Sequence, residues 1–170
     1  MKLIGVVFIV ISAGTVGFRL ARQLRLRCTM LRQLQSALHV LKNEIAFCAT
    51  PVPRAFAKMA ASLEGALAEL FARASGAMDK RCWLTPSSAM EYAMQEVPGF
   101  EQGDKVRDIL LELAGKLGQY DLDSQIQGIG LAMTQLDEER QAAERERSVK
   151  SKTYETLGVC AGLAVAILLL

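Results

Sequence analysis

The chain is apolar at both ends, and each apolar run is flanked on its inner side by arginine and lysine. The first uncharged run covers residues 3–18 (LIGVVFIVISAGTVGF) and the last covers residues 157–170 (LGVCAGLAVAILLL). The chain between them is polar, with apolar residues at helical spacing. This layout fits a hairpin of two membrane helices joined by a water-facing domain. A helix satisfies its own backbone in lipid, and an uncharged one can bury all its faces there.

The basic residues orient the hairpin. Arg19, Arg22, Arg25, Arg27 and Arg32 follow the first run, with no acidic residue before Glu44. Arg140, Arg145, Arg147, Lys150 and Lys152 precede the second, and only Lys2 lies outside the pair. Basic residues near the ends of membrane segments stay cytoplasmic. The middle of the chain is therefore expected in the cytoplasm, with both termini on the far side. Arg19, Arg22, Arg25, Arg27, Arg147, Lys150 and Lys152 are the expected membrane-flanking residues. The formal net charge of +2 hides this asymmetry, because acids dominate from Glu64 to Glu112. A basic base suits anionic headgroups, where each nearby cation is worth about 1 kcal/mol.

Both runs are short. A spanning helix needs about 20 apolar residues, and residues 3–18 cover roughly 24 Å at about 1.5 Å per residue. Snorkelling of Arg19 and Lys152, local thinning or helix pairing can close the gap. Gly5, Gly14, Gly17, Gly158 and Gly162 would favour pairing, and Gly158 to Gly162 is a GxxxG spacing. A cleaved signal peptide ahead of a secreted or soluble helical binding module is the alternative. It would place its basic region before the apolar run, whereas here the arginines follow.

The chain divides accordingly into an N-terminal anchor (1–20), a helical cytoplasmic domain (21–153) with a charged stalk (137–153), and a C-terminal anchor (154–170). The expected fold is all-α, a bundle of about six helices with a long first and a long last helix. Ala, Leu, Met, Gln, Glu and Arg are abundant, which favours helix. Cys28, Cys48, Cys82 and Cys160 are scattered, without the spacing of a disulfide or zinc framework.

Leu24, Leu31, Leu34, Leu38, Leu41 and Ile45 form a heptad-like stripe on the first helix. Thr50-Pro51 ends it and starts the second, with Thr50 as N-cap and Pro51 in the first turn. Phe56, Met59 and Leu63 face inward there. Leu67, Leu70, Phe71, Ala74 and Met78 line the third helix. Thr85-Pro86 opens the fourth, with Met90, Ala93, Met94 and Val97 inward, and Pro98-Gly99 stops it. Asp104 caps the fifth, lined by Val106, Ile109, Leu110, Leu113 and Leu117. Gly118 sits where a left-handed C-terminal residue belongs. The sixth starts near Asp121 or Asp123 and has no proline after it, giving about 48 residues, roughly 70 Å if unbroken. Ile126, Ile129, Met133 and Leu136 give it a short apolar stripe. Residues 137–152 (DEERQAAERERSVKSK) are charged nearly all round, which predicts an exposed stalk.

No reaction chemistry emerges. His39 is the sole histidine and reads as a surface or boundary residue. Asp121-Leu-Asp123-Ser-Gln125 has alternating oxygens but lacks the glycine and glutamate of a calcium loop, so it reads as a helix cap. There is no phosphate-cradling glycine motif. The arginine run has no interleaved aromatics and adjoins an apolar segment, which argues against nucleic acid. No catalytic, cofactor-binding or metal-ligating residue is assigned, and a non-enzymatic assembly role is expected. Glu91, Glu96, Glu101, Asp104 and Asp108 are candidates for an electrostatic partner contact.

The order of several blocks resembles one known family. Residues 31–45 (LRQLQSALHVLKNEI), then Thr50-Pro51 and Ala55-Phe56, resemble the N-terminal pattern of stage III sporulation protein AB. Leu117-Gly118-Gln-Tyr-Asp121, Gln125 with Gln127, and Tyr154-Glu-Thr-Leu157-Gly158 before an apolar run are similar to its C-terminal half. The resemblance covers nearly the whole chain and is weakest over residues 64–104. It implies a component of the channel-like complex between mother cell and forespore. It also implies a chain anchored in the mother-cell membrane around the forespore, with a cytoplasmic domain similar to the helical domain of type II secretion F proteins. The implied partners are the lipid bilayer, other channel-complex proteins and a cytoplasmic secretion-type ATPase; a homo-oligomer is one assembly that short, glycine-containing anchors allow. The family supplies no catalytic residues to carry over.

Overall fold

The heptad-like leucine stripe becomes one face of a long helix, α1 (Lys2–Ala46, 45 residues). A computed structural model describes the backbone of residues 2–81, 84–100, 103–118 and 121–169. It describes the side chains of residues 22, 24–81, 84–100, 103–118 and 121–149. Among the described residues there are six α-helices and no strand. After α1 come α2 (Val52–Ala61), α3 (Gly65–Lys80), α4 (Pro86–Glu96), α5 (Lys105–Lys116) and α6 (Leu122–Leu169, 48 residues). The all-α expectation holds, as do the long first and last helices.

The chain groups into two compact units, one of residues 30–140 and one of residues 1–29 with 141–170. In the larger unit, Leu31, Leu34, Leu38 and Leu41 on α1 are completely buried. Each such leucine contributes roughly 1.5–3 kcal/mol, well above the few tenths by which helix propensities differ. Burial of the stripe, more than propensity, therefore holds this part of α1. Helices α2 to α5 pack in chain order, α2 on α3, α3 on α4 and α4 on α5. Phe56 of α2 and Phe71 of α3 meet edge to face, with ring centroids 5.4 Å apart at 77°. The Ser75 hydroxyl, buried within α3, donates to the Pro53 carbonyl at 2.9 Å and ties the same two helices together.

The sixth helix closes the bundle on polar as well as apolar contacts. Ile129, Ala132 and Leu136 are buried. The Gln35 side-chain amide donates to Asp137 at 3.1 Å, linking α1 to α6. Lys105 of α5 reaches Glu139 of α6 at 2.8 Å. Gly128 lets α6 approach α5 closely, since a Cβ there would lie 3.0 Å from Lys116 Cδ.

The caps follow the sequence at three helix starts and depart from it at one. Thr85 Oγ1 accepts from the Ser88 N–H at 3.2 Å, Asp104 Oδ1 from the Val106 N–H at 3.2 Å, and Asp121 Oδ2 from the Ser124 N–H at 3.3 Å. Gly118 has φ +77°, as a left-handed terminator should. Thr50, however, does not cap α2. The helix begins at Val52 with Pro51 in the cap position and no side-chain bond. The Thr50 hydroxyl donates instead to Glu44 at 2.6 Å, because Ala49 at φ +48° folds the turn back on the end of α1. The Thr50 N–H then reaches the Glu44 carbonyl at 3.0 Å.

The base of the expected stalk is less exposed than a helix polar on every face implies. Asp137, Glu139 and Arg140 are only partly exposed and Ala143 is buried. Asp137 pairs with Arg140, three residues on, at 2.7 Å. Among the described residues no helix is long and apolar enough to cross a membrane. The side chains of both terminal apolar runs, 3–18 and 157–170, lie outside the described residues.

Candidate membrane and partner surfaces

Two of the arginines expected to flank the membrane, Arg22 and Arg25, fall on one face of α1. Arg22, Arg25, Leu26 and Thr29 follow the i, i+3, i+4, i+7 spacing of a single helix face, and all four are exposed. Leu24, Cys28 and Leu31 are buried on the other side of the same turns. Arg22 and Arg25 meet no carboxylate among the described residues, nor does the exposed Arg147 of α6. Arg27 is exposed, while the side chains of Arg19, Lys150 and Lys152 lie outside the described residues. Elsewhere, many cations are matched. Lys58 meets Glu44 at 2.5 Å, Arg73 meets Glu69 at 2.8 Å, and Lys116 meets Glu112 at 2.7 Å.

Two exposed apolar residues accompany these cations and were not singled out by the sequence pattern. Leu26 is 59% exposed and Val149 is 64% exposed. The signal was present for Leu26. It sits two residues from both Leu24 and Cys28, hence on the opposite side of the helix from the buried stripe.

The acidic candidates do not form one face. Glu96 is committed internally, taking a bond from Arg73 and a 3.0 Å bond from the Tyr92 hydroxyl. Asp104 is used as the cap of α5. Glu91 is exposed and lies 3.9 Å from Arg107. Asp108 is exposed in the first turn of α5, where a carboxylate also complements the helix dipole. Glu101 lies outside the described residues. Glu91 and Asp108 are thus the pair left facing solvent.

A fixed turn joins α1 to α2. Glu44 accepts from both Thr50 and Lys58, and these bonds, the Lys58 bond first, hold its carboxyl below the usual range. The turn carries Phe47, which is 84% exposed. Asp121 is likewise held low, chiefly by the Ser124 hydroxyl. This is the behaviour of a cap, as the sequence implied.

Reactive groups are not gathered anywhere among the described residues. No set of three or more His, Cys, Asp or Glu side chains is placed to hold a metal ion. Among the described residues, no buried side-chain nitrogen or oxygen lacks a partner. Among the described residues, one cleft is lined by Gln35, His39, Met133, Thr134 and Asp137, and another by Lys116, Ser124, Gln127, Gly128 and Leu131. His39 is exposed at the rim of the first, beside Asp137, whose carboxylate is already engaged by Gln35 and Arg140.

Comparison with known proteins follows the same line. The family description "Stage III sporulation protein AB" matches residues 2–170. A protein of that name from Bacillus subtilis (strain 168) is 32% identical over 171 residues, covering 100% of this chain and 99% of its own. A solved structure of stage III sporulation protein AB (SpoIIIAB) superposes with a TM-score of 0.62 at 27% identity. It covers 71% of this chain and 94% of its own. The chain belongs to the stage III sporulation protein AB family, as the block order in the sequence implied.

Proposed function

We propose that this sporulation-family chain is a non-enzymatic, membrane-anchored platform in the secretion-like complex between mother cell and forespore. One observation carries the reading. Arg22, Arg25 and Arg147, which are exposed and meet no carboxylate among the described residues, lie near two uncharged terminal runs, and the domain between the runs gathers no reactive groups among its described residues. The two runs act as anchors, and the arginines hold the inner side at the headgroups. The bundle then stands in the cytoplasm of the mother cell with both termini across its forespore-facing membrane. Its recognition surfaces are helix faces and the α1–α2 turn. The other channel-complex proteins and a cytoplasmic secretion-type ATPase are the partners suggested by the family resemblance, with Glu91 and Asp108 the exposed acidic contacts.

Cysteine labelling tests the topology. Cys48 is exposed at the α1–α2 turn. A variant that keeps only this thiol should react with a membrane-impermeant maleimide after permeabilisation and not in intact mother cells. Labelling in intact cells would overturn the orientation. N-terminal sequencing of the mature protein addresses the secreted alternative, since a signal peptide would be missing from it.

A further inference from the structure

We propose that the exposed face of Arg22, Arg25 and Leu26 is a binding surface for anionic phospholipid. The inference rests on the membrane reading above and adds the chemistry of the lipid to it. Three observations support it together. First, the two arginines share a helix face, are exposed, and meet no carboxylate of this chain among the described residues. Their charge is available to an outside anion, unlike that of Arg73 or Lys58.

Second, the face is mixed in a way that suits the edge of a bilayer. Leu26 stands 59% exposed beside Arg22 and Arg25. An arginine places its guanidinium among phosphates while its stem and a neighbouring leucine cover apolar surface. The Thr29 hydroxyl, next on this face, is turned onto its own backbone, donating to the Arg25 carbonyl at 3.0 Å. The same unit carries the exposed Arg147 and Val149 on α6, between the bundle and the second apolar run in sequence.

Third, the distances along α1 match the lipid interface. Arg22 and Arg25 lie four and seven residues beyond Phe18, the last residue of the uncharged run. At about 1.5 Å per residue these are roughly 6 and 10 Å. A headgroup layer is roughly 5–8 Å deep, and charge acts for about 8 Å more at physiological ionic strength. Both guanidiniums fall within that range, where phosphodiesters are the anions at hand. A partner protein would have to displace the headgroups to reach the same face.

Each arginine at such a surface is worth about 1 kcal/mol, a factor of about five in affinity. The full chain, purified in mild detergent, is titrated with phosphatidylglycerol or phosphatidylcholine and read by native mass spectrometry. The wild type should retain phosphatidylglycerol over phosphatidylcholine, and the preference should fall with salt. The double variant R22Q/R25Q should lose about 25-fold of that preference with unchanged helix content. Arg54→Gln removes an exposed cation on α2 and should leave the preference intact. Equal retention of both lipids by the wild type, or an unchanged preference in R22Q/R25Q, would overturn the proposal. So would salt-sensitive self-association through these arginines without lipid selectivity, which would assign the face to a second copy. Carbonate extraction of cell membranes separates this from the reading it rests on. A chain released by carbonate defeats the anchors themselves, whereas a retained chain without lipid preference defeats only the arginine face.

Discussion

Gly118 and Ala49 occupy the same left-handed backbone region with opposite chemistry, and exchanging them should move stability in opposite directions. Gly118 has φ +77° and Ala49 has φ +48°. An L-residue with a Cβ in this region costs roughly 1–2 kcal/mol. At Gly118 an added Cβ would meet Val52 Cγ2 at 3.6 Å and Pro86 Cγ at 3.8 Å, both ordinary contacts. The penalty for Gly118→Ala is therefore backbone strain, partly offset because alanine stiffens the unfolded chain by about 0.4–1 kcal/mol. The net loss is about 1 kcal/mol. At Ala49 the strain is already present, so Ala49→Gly relieves it and gains about 0.5–1 kcal/mol after the same entropy correction. For a domain of this size each kcal/mol moves the midpoint by roughly 3–6 °C. Thermal unfolding of the full chain in detergent, followed by circular dichroism, should show Gly118→Ala lower, Ala49→Gly slightly higher, and Gly118→Asn between Gly118→Ala and wild type. Asparagine tolerates the left-handed region. If Gly118→Asn melts as low as Gly118→Ala, space rather than φ governs the site and the reasoning fails. A wild-type melt for Gly118→Ala would refute it as well.

Two further outcomes follow from the packing and the turn. Phe71→Ala removes a fully buried ring and its edge-to-face partner contact with Phe56. The expected loss is about 3–5 kcal/mol, measured as a sharp rise in proteolysis of the bundle. Glu44 has its carboxyl held below the usual range by Lys58 and Thr50, so its stabilising contribution is present above the unfolded carboxylate range near pH 4 and is lost as pH falls through the lower folded value. Glu44→Gln should therefore destabilise at neutral pH. The melts of variant and wild type should converge in acid, and a pH-independent gap between them would contradict the ion-pair account.

The local rules of the fold were legible in the sequence because they act over a few residues. The stripe from Leu31 to Ile45, the caps at Thr85 and Asp104, and the terminator Gly118 each depend on spacing within one or two turns. Thr50 was misread because its hydroxyl had a competitor. Glu44 lies six residues earlier and becomes a partner only once Ala49 adopts a left-handed conformation, which alanine gives no reason to expect. One of the acidic candidates meets the same limit. Glu96 looked available in sequence, but Arg73 stands 23 residues away and its proximity depends on how α3 packs against α4. Beside the first apolar run, the density of arginines could be read directly. Which of them lack a carboxylate partner, and that Leu26 stands among them, required the helix faces to be set by packing.

The order in which the helices pack has a consequence for how the bundle is made. Helices α2 to α5 each pack on the next in sequence, so their contacts close short loops and form quickly. The Gln35–Asp137 contact joins residues 102 apart. During synthesis α1 emerges first, with its leucine face uncovered, and part of its cover is still on the ribosome. The central helices can assemble early, but closure must wait for the first part of α6, and the second apolar run lies further along the same helix. Completion of the bundle and synthesis of the second apolar run are thus nearly simultaneous events. A delay in reaching α6 leaves the leucine stripe exposed to solvent.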